Sequence, residues 1–334
     1  MSAATGSVLF VDAKGHGFTR NIAALRDEVL GSCRLLPVRY FFADLDSTGA
    51  VPARELRSML RLLRHASAEA NWIVSASDSE HVRELRGADG QRRVLLLSPR
   101  LNLVDATAAR VEPSIGYTDV VVPGSAFIAA AEARFPGARV HAAGLPVFAE
   151  LASDAARARA RSELATACPQ SAGKQVVVIT TQRSPQQLFG ESNVRQLAER
   201  LPDDIFLVLD VPDILSRIES ETSDLEERLF VNDGALGLFT LLALGDTLLT
   251  SKFRDAVYFS ATGRGLFLLN TQQNVGTMGD KLPDAYSGLG VADVFALPPA
   301  LTGSYDESAR AQFQSAYAVS DPAATVTRVI DSLF

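Results

Sequence analysis

Gln175-Val176-Val177-Val178-Ile179-Thr180-Thr181 is the most continuous apolar run of the chain, and its reading decides the fold. Val176 to Ile179 are consecutive β-branched residues with no polar alternation, the pattern of a strand buried on both faces at the centre of a parallel sheet. Parallel neighbours need crossover connections, so segments of helical period must lie on either side of such a strand. They do. Downstream, strands are expected at Ile205 to Val211, Leu229 to Val231, Thr247 to Thr250, Leu266 to Asn270 and Val294 to Leu297. Helices fit between them at Ser192 to Arg200, Gly237 to Leu244 and Arg254 to Thr262.

A second series of the same kind fills the first half. Strands are expected at Ser7 to Val11, Leu36 to Phe42, Trp72 to Ala76, Arg93 to Leu97, Asp119 to Val122 and Arg139 to Ala142, with helices at Arg20 to Leu30, Ala53 to His65 and Ala126 to Arg134. An Ala/Arg-rich helical stretch, Phe148 to Ala167, closes on Pro169, Ser171 and Gly173 and separates the two series. The fold class is α/β, with two doubly wound Rossmann-like domains facing a cleft. The expected boundaries are 1–146 for the N-terminal domain, 147–173 for the connection, 174–318 for the C-terminal domain and 319–334 for a last helix. That helix, Pro322 to Leu333, has Asp321 as N-cap and proline at its first position.

Length and charge agree with this division. The chain has 334 residues, enough for two cores at about 100 to 200 residues per domain. Its net charge of -7 and pI near 5.2, with no Lys/Arg block, argue against a partner built of nucleic-acid phosphates. Cys33 and Cys168 are too few and too far apart for a disulfide framework, so reduced thiols and a cytoplasmic location are expected. The chain enters an apolar run at Val8 with no basic leader, and no apolar run approaches the roughly 20 residues that span a bilayer. Docking on the inner face of the cell membrane stays open.

In doubly wound folds ligands bind at the carboxyl ends of the strands, which directs attention to four segments. The loop Asp12-Ala13-Lys14-Gly15-His16-Gly17 joins the first strand to a helix, and its glycines free backbone amides for an anion while His16 could serve as a general base. A plain turn with a solvated histidine reads equally well. Thr180-Thr181-Gln182-Arg183-Ser184 places hydroxyls, an amide and a guanidinium where a nucleotide diphosphate would lie. In Thr250-Ser251-Lys252-Phe253-Arg254-Asp255, Ser251 is expected to cap the following helix while Lys252 and Arg254 neutralise phosphate charge. Either could also be an ordinary polar loop. Arg54, Arg57, Arg61 and Arg64 share one helical face, a solvated surface or a patch for anionic lipid. His16, His65, His81 and His141 are scattered, so no metal site is expected, and His141 reads as a satisfied core residue.

Leu244-Gly245-Asp246-Thr247-Leu248-Leu249-Thr250-Ser251, running on through Tyr258-Phe259-Ser260-Ala261-Thr262-Gly263-Arg264-Gly265-Leu266-Phe267, resembles the donor-site segment of CDP-glycerol glycerophosphotransferases, the teichoic-acid polymerases. There a strand ending in Thr-Asp-Tyr-Ser-Ser precedes a helix and a Gly-Lys-Pro turn; here Thr250 and Gly263 match and Arg264 replaces the lysine. Phe18 to Leu25, Tyr117 to Ser125 with Ala143 to Pro146, and Val178 to Arg183 resemble three further segments in the same order, with Thr181 and Arg183 matching the last. The resemblance implies a GT-B architecture whose C-terminal domain holds an activated donor.

The family's Trp-His-Gly segment, whose histidine is taken as the catalytic base, should fall near Leu97-Ser98-Pro99-Arg100, which has no histidine. Its His-Pro becomes Val211-Pro212 after Asp210, its paired serines become Phe253 and Arg254, and its aspartate becomes Ser251. The expected function is transfer of a glycosyl or alditol-phosphate group from a CDP- or UDP-type donor to a cell-surface glycan or glycolipid. Thr181, Gln182, Arg183, Ser184, Ser251, Lys252 and Arg254 would hold the donor, with no further cofactor or metal. His16 would be the base and Asp12 would orient it. The alternative is an inert GT-B protein that binds a partner. Oligomeric state is not legible.

Overall fold

The computed structural model describes residues 8–12, 21, 42–44, 72–75, 93–97, 117–181, 188–189, 194–211, 225, 227–269, 288–291, 293–302 and 306–318. The chain divides into two compact units, Met1–Ala149 with Val319–Phe334, and Glu150–Ala318.

The first unit carries a six-stranded sheet, every pair of it parallel: β1 (Val8–Asp12), β2 (Phe42–Asp44), β3 (Trp72–Ser75), β4 (Arg93–Leu97), β5 (Asp119–Val122) and β6 (Arg139–Ala142), in the order β2-β1-β3-β4-β5-β6. β4, β5 and β6 have the bounds expected from sequence; β4 and β5 end in apolar runs, Val94 to Leu97 and Val120 to Val122, whereas β6 is the more polar Arg-Val-His-Ala. β2 begins where the expected strand Leu36 to Phe42 ends, and residues 36–41 lie outside the described set. Val120, Val121 and Val122 are fully buried. The crossover from β5 to β6 runs through the 3-10 turn Ser125–Phe127 and helix α1 (Ile128–Arg134), which seats Phe127 and Ala131 in the core.

The second unit also has six parallel strands: β7 (Gln175–Thr180), β8 (Ile205–Asp210), β9 (Leu229–Val231), β10 (Thr247–Thr250), β11 (Gly265–Leu269) and β12 (Gly290–Val291). Their order is β12-β11-β10-β7-β8-β9. Counted from the unit's own first strand this is 3-2-1-4-5-6, the arrangement of dinucleotide-binding Rossmann folds. β7 is central, and Val176, Val177, Val178 and Ile179 are each no more than 2% exposed, as a strand covered on both faces requires. One face of the sheet packs Val177, Ile179, Leu207, Leu209 and Leu249 against Leu197, Val294 and Leu297.

Three elements depart from expectation. The stretch Phe148 to Ala167 is two helices, α2 (Val147–Ala152) and α3 (Asp154–Ala167). Ser153 breaks it: its extended backbone and its Oγ, which accepts from Ala156 N at 3.1 Å, start a new helix. The expected last strand, Val294 to Leu297, is a 3-10 turn (Val294–Ala296) leading into helix α7 (Leu297–Thr302). Asp293 decides this by accepting from both Phe295 N and Ala296 N, so the sheet ends in the two-residue β12 instead. Helix α8 (Glu307–Tyr317), capped by Asp306 accepting from Ala309 N at 2.8 Å, was not expected. It buries Ala309, Phe313 and Tyr317 at i, i+4 and i+8, and Phe253 meets the Tyr317 ring edge-on at 5.1 Å. The remaining helices are α4 (Val194–Arg200), α5 (Leu238–Leu244) and α6 (Phe253–Ser260).

The expected helices Ala53 to His65, with its four arginines, and Pro322 to Leu333 lie outside the described residues, as does Arg20 to Leu30 apart from Asn21. Among the described residues no helix is long and apolar enough to cross a membrane.

Candidate functional site

In the order β12-β11-β10-β7-β8-β9 the chain leaves β7 toward β8 on one side and returns to β10 on the other. The connections after β7 and β10 therefore diverge from their first residues, the topology at which doubly wound folds place their ligands. Those residues are Thr181 and Ser251.

Thr181 Oγ1 and Ser251 Oγ are 2.9 Å apart and hydrogen-bonded across this point. Beside this pair Thr180 Oγ1 donates to Thr250 Oγ1 at 2.8 Å, and Thr180, Thr181 and Thr250 are all buried. Thr250 Oγ1 also accepts from Lys252 N at 2.9 Å. The strand ends are thereby cross-linked by hydroxyls, which can donate or accept as a ligand requires.

Lys252 is the N-cap of α6 in extended conformation, and no side chain caps the helix. The expectation that Ser251 caps it is corrected: the Ser251 hydroxyl is turned to Thr181. The helix dipole at this uncapped start favours an anion. The Lys252 ammonium lies 3.5 Å from Asp210 Oδ2, with both side chains partly exposed. Asp210 closes β8 and is in register with Thr180. Asn232 steadies Asp210, its Nδ2 donating to Oδ1 at 2.9 Å while the same side chain brackets Leu236 through that residue's N and O.

Arg254 follows within α6; its Nε donates to Asp255 Oδ1 at 3.2 Å, and more than half of the side chain is exposed. Asp255 is wholly buried, and its Oδ2 has no hydrogen-bond partner among the described residues. Tyr258, one helical turn on, has its phenol pushed up, by burial first and then by Asp255, against the opposing charge of Arg254. It stays neutral, packed edge-on to Phe239 at 5.5 Å.

The structure thus brings together Thr181, Ser251 and Lys252, with Arg254 on the same helix start. Gln182, Arg183, Ser184 and His16 lie outside the described residues. Asp12 is the last residue of β1, next to β3 across the point where the first sheet's order reverses. Asp210, Asn232 and Asp255 escaped the sequence reading. Asp210 carried a signal, an acid at the end of the strand beside the central one, and the other two did not. His141 is satisfied, as expected, by Asp119 Oδ1 at 2.9 Å from Nε2, although a quarter of its side chain is exposed. Among the described residues no group of three His, Cys, Asp or Glu is placed to hold a metal ion.

The architecture is that of known enzymes. The chain is similar to the wall teichoic acid polymerase TagF with a TM-score of 0.64 and 13% identity, over 98% of this chain and 88% of that one. The fold is GT-B. Anabaena Alr3699/HepE, solved in complex with UDP and glucose, matches with a TM-score of 0.53 and 13% identity over 98% of this chain and 100% of that one. A putative UDP-N-acetylglucosamine 2-epimerase from Listeria monocytogenes matches with a TM-score of 0.63 and 13% identity over 98% and 97%. No protein-family model matches this chain, and no curated protein does. These neighbours share a glycosyltransferase-type fold, and such a fold hosts more than one chemistry.

Proposed function

We propose that this chain is a GT-B transferase that takes a glycosyl or alditol-phosphate group from a nucleotide-activated donor of CDP or UDP type and adds it to a cell-surface glycan or glycolipid. The observation that carries the reading is the hydroxyl pair Thr181–Ser251 at the switch point of the second sheet, with Lys252 at the adjoining helix start. Hydroxyls, an uncapped helix start and an ammonium at one switch point suit a diphosphate. The neighbours support the donor class: TagF has been solved with CDPG, and HepE with UDP-glucose.

In this reading Lys252, Arg254, Arg183 and the start of α6 offset the charge that develops on the departing diphosphate, which is where preorganised donors lower a barrier. Thr181, Ser251, Gln182 and Ser184 orient the phosphates. His16 deprotonates the acceptor hydroxyl and Asp12 orients it. The nucleotide donor is a substrate, and neither a metal nor a further cofactor enters the reading. The acceptor places the protein in the cytoplasm, at the inner face of the membrane.

Calorimetry against CDP, UDP, GDP and CMP tests this. Binding of a nucleoside diphosphate in the micromolar to millimolar range is expected, weakened by Lys252→Ala. Unchanged affinity in Arg254→Ala removes that residue from the site. The second reading, an inert GT-B protein that binds a partner, is favoured by the absence of histidine at Leu97-Ser98-Pro99-Arg100. It gains if no nucleotide binds at all.

A further inference from the structure

At the opposite edge of the second unit's sheet, where β7 and β10 begin, a groove of about 890 Å³ runs along α3. Its base is Asp246, whose carboxylate is shared by two arginines one helical turn apart: Arg157 donates to Oδ1 and Arg161 to Oδ2. Asp246 Oδ2 also accepts from Val176 N at 2.7 Å, which ties the pair to the sheet. One carboxylate between two guanidiniums leaves a net positive charge.

The arginines are not equivalent. Arg161 is largely spent, its Nη1 donating to Lys174 O at 2.9 Å, and three quarters of its side chain is covered. The Arg157 guanidinium makes one hydrogen bond among the described residues, through Nη2, and 43% of the side chain is exposed. Its Nε and Nη1 have no protein acceptor among the described residues. Lys174, Ser162 and Thr247 line the same groove, with Asp154, one turn before Arg157 on α3, as the opposing charge. Behind Asp246, Arg264 is pulled down to about 10, by burial first and then by the charge of Arg157, with Asp246 opposing the shift.

We propose that this groove is a second anion site, distinct from the switch point, in which the free donors of Arg157 and Ser162 bind a soluble diphosphate-bearing compound. The Nε–H and Nη1–H of the Arg157 guanidinium point in different directions, so they give single charge-assisted hydrogen bonds to separate anion oxygens, while Asp246 holds Nη2 from behind. The groove far exceeds a lone phosphate in size, so the diphosphate is one end of a larger molecule. The inference does not rest on nucleotide transfer, because its residues lie at the amino ends of the strands, away from Thr181 and Ser251.

Inorganic pyrophosphate is the probe, titrated calorimetrically into the full chain. Wild type and Lys252→Ala are expected to retain this binding, while Arg157→Gln weakens it by about 5-fold or more. Loss in Lys252→Ala together with unchanged affinity in Arg157→Gln overturns the proposal and assigns the binding to the switch point. No detectable binding by wild type at millimolar probe overturns it too, as does equal affinity for citrate, which marks an unselective cationic patch. If Arg157→Gln melts well below wild type, Ser162→Glu replaces it. That exposed side chain leaves the Asp246 pairs untouched, so its new carboxylate must weaken binding, and unaltered affinity sinks the idea.

Discussion

Thr180 Oγ1 donates to Thr250 Oγ1 at 2.8 Å, so the two strands that diverge at the switch point of the second sheet are locked by their last side chains. Thr250 Oγ1 in turn accepts from Lys252 N, which fixes the first residue of the following helix. Thr250→Val keeps the shape and strands two donors, a buried hydroxyl and an amide. Leaving a buried donor unsatisfied costs about 1–3 kcal/mol, whereas removing both partners is cheaper. Thr250→Val is therefore expected to lower the urea midpoint, and Thr180→Val/Thr250→Val to recover part of the loss. A double variant less stable than the sum of the singles contradicts this.

Arg264 replaces the lysine of the resembling family's turn, and its packing shows what the guanidinium adds. Nη1 donates to Ala243 O at 2.7 Å and to Gly245 O, and Nη2 to Leu242 O at 2.9 Å, closing the carbonyl end of α5. The plane also stacks over Phe259 at 5.0 Å. An ammonium can neither fork nor stack in this way. Arg264→Lys is expected to cost about 2 kcal/mol through lost charge-assisted bonds, read as a lower thermal midpoint. The neighbouring Gly263, at φ +68°, provides the left-handed turn that brings the arginine back over the helix end.

Asp119 gives the first unit a pH dependence. Burial alone would raise its carboxyl, but hydrogen bonds from His141, Thr118 and Arg139 outweigh it and hold the group below its ordinary 3.8. A depressed folded value means that stability is present above the unfolded value and is lost as pH falls through the folded one. The melting difference between wild type and Asp119→Asn should be constant near neutrality and shrink as pH drops below about 4. A difference that grows on acidification would reverse the sign and remove Asp119 as its source.

What the sequence disclosed follows from the range of the interactions involved. β7, β9 and β10 could be bounded closely because their signal is local, an apolar run ended by a turn. Val294 to Leu297 is equally apolar and folds as a turn and helix because the Asp293 side chain takes up two amides, a choice that hydropathy does not register. β12 has only two residues, Gly290 and Val291, and exists because β11 is there to pair with it. The candidate site divides in the same way. Thr181, Ser251 and Lys252 were legible from the rule that ligands meet strand ends. Asp210, joined to Lys252 across 42 positions and to Asn232 across 22, became visible only when β8 was laid beside β7.

That last contact carries the sharpest prediction about the switch point. Lys252 Nζ stands 3.5 Å from Asp210 Oδ2, too long for a strong hydrogen bond but close enough for the carboxylate to neutralise the ammonium. A diphosphate binding at the switch point must compete with Asp210 for that charge, and the carboxylate also repels it. Asp210→Asn keeps the amide-to-side-chain packing with Asn232 while removing both effects. Its affinity for CDP or UDP is therefore expected to rise several-fold, a change of about 1 kcal/mol for a partly exposed pair. Affinity for the uncharged nucleosides should not change, since they offer Lys252 nothing. Lys252→Ala should move the diphosphates in the opposite direction and erase the gain when combined with Asp210→Asn. If Asp210→Asn weakens diphosphate and nucleoside alike, the carboxylate contacts the nucleoside itself, and its role as a rival for Lys252 is refuted.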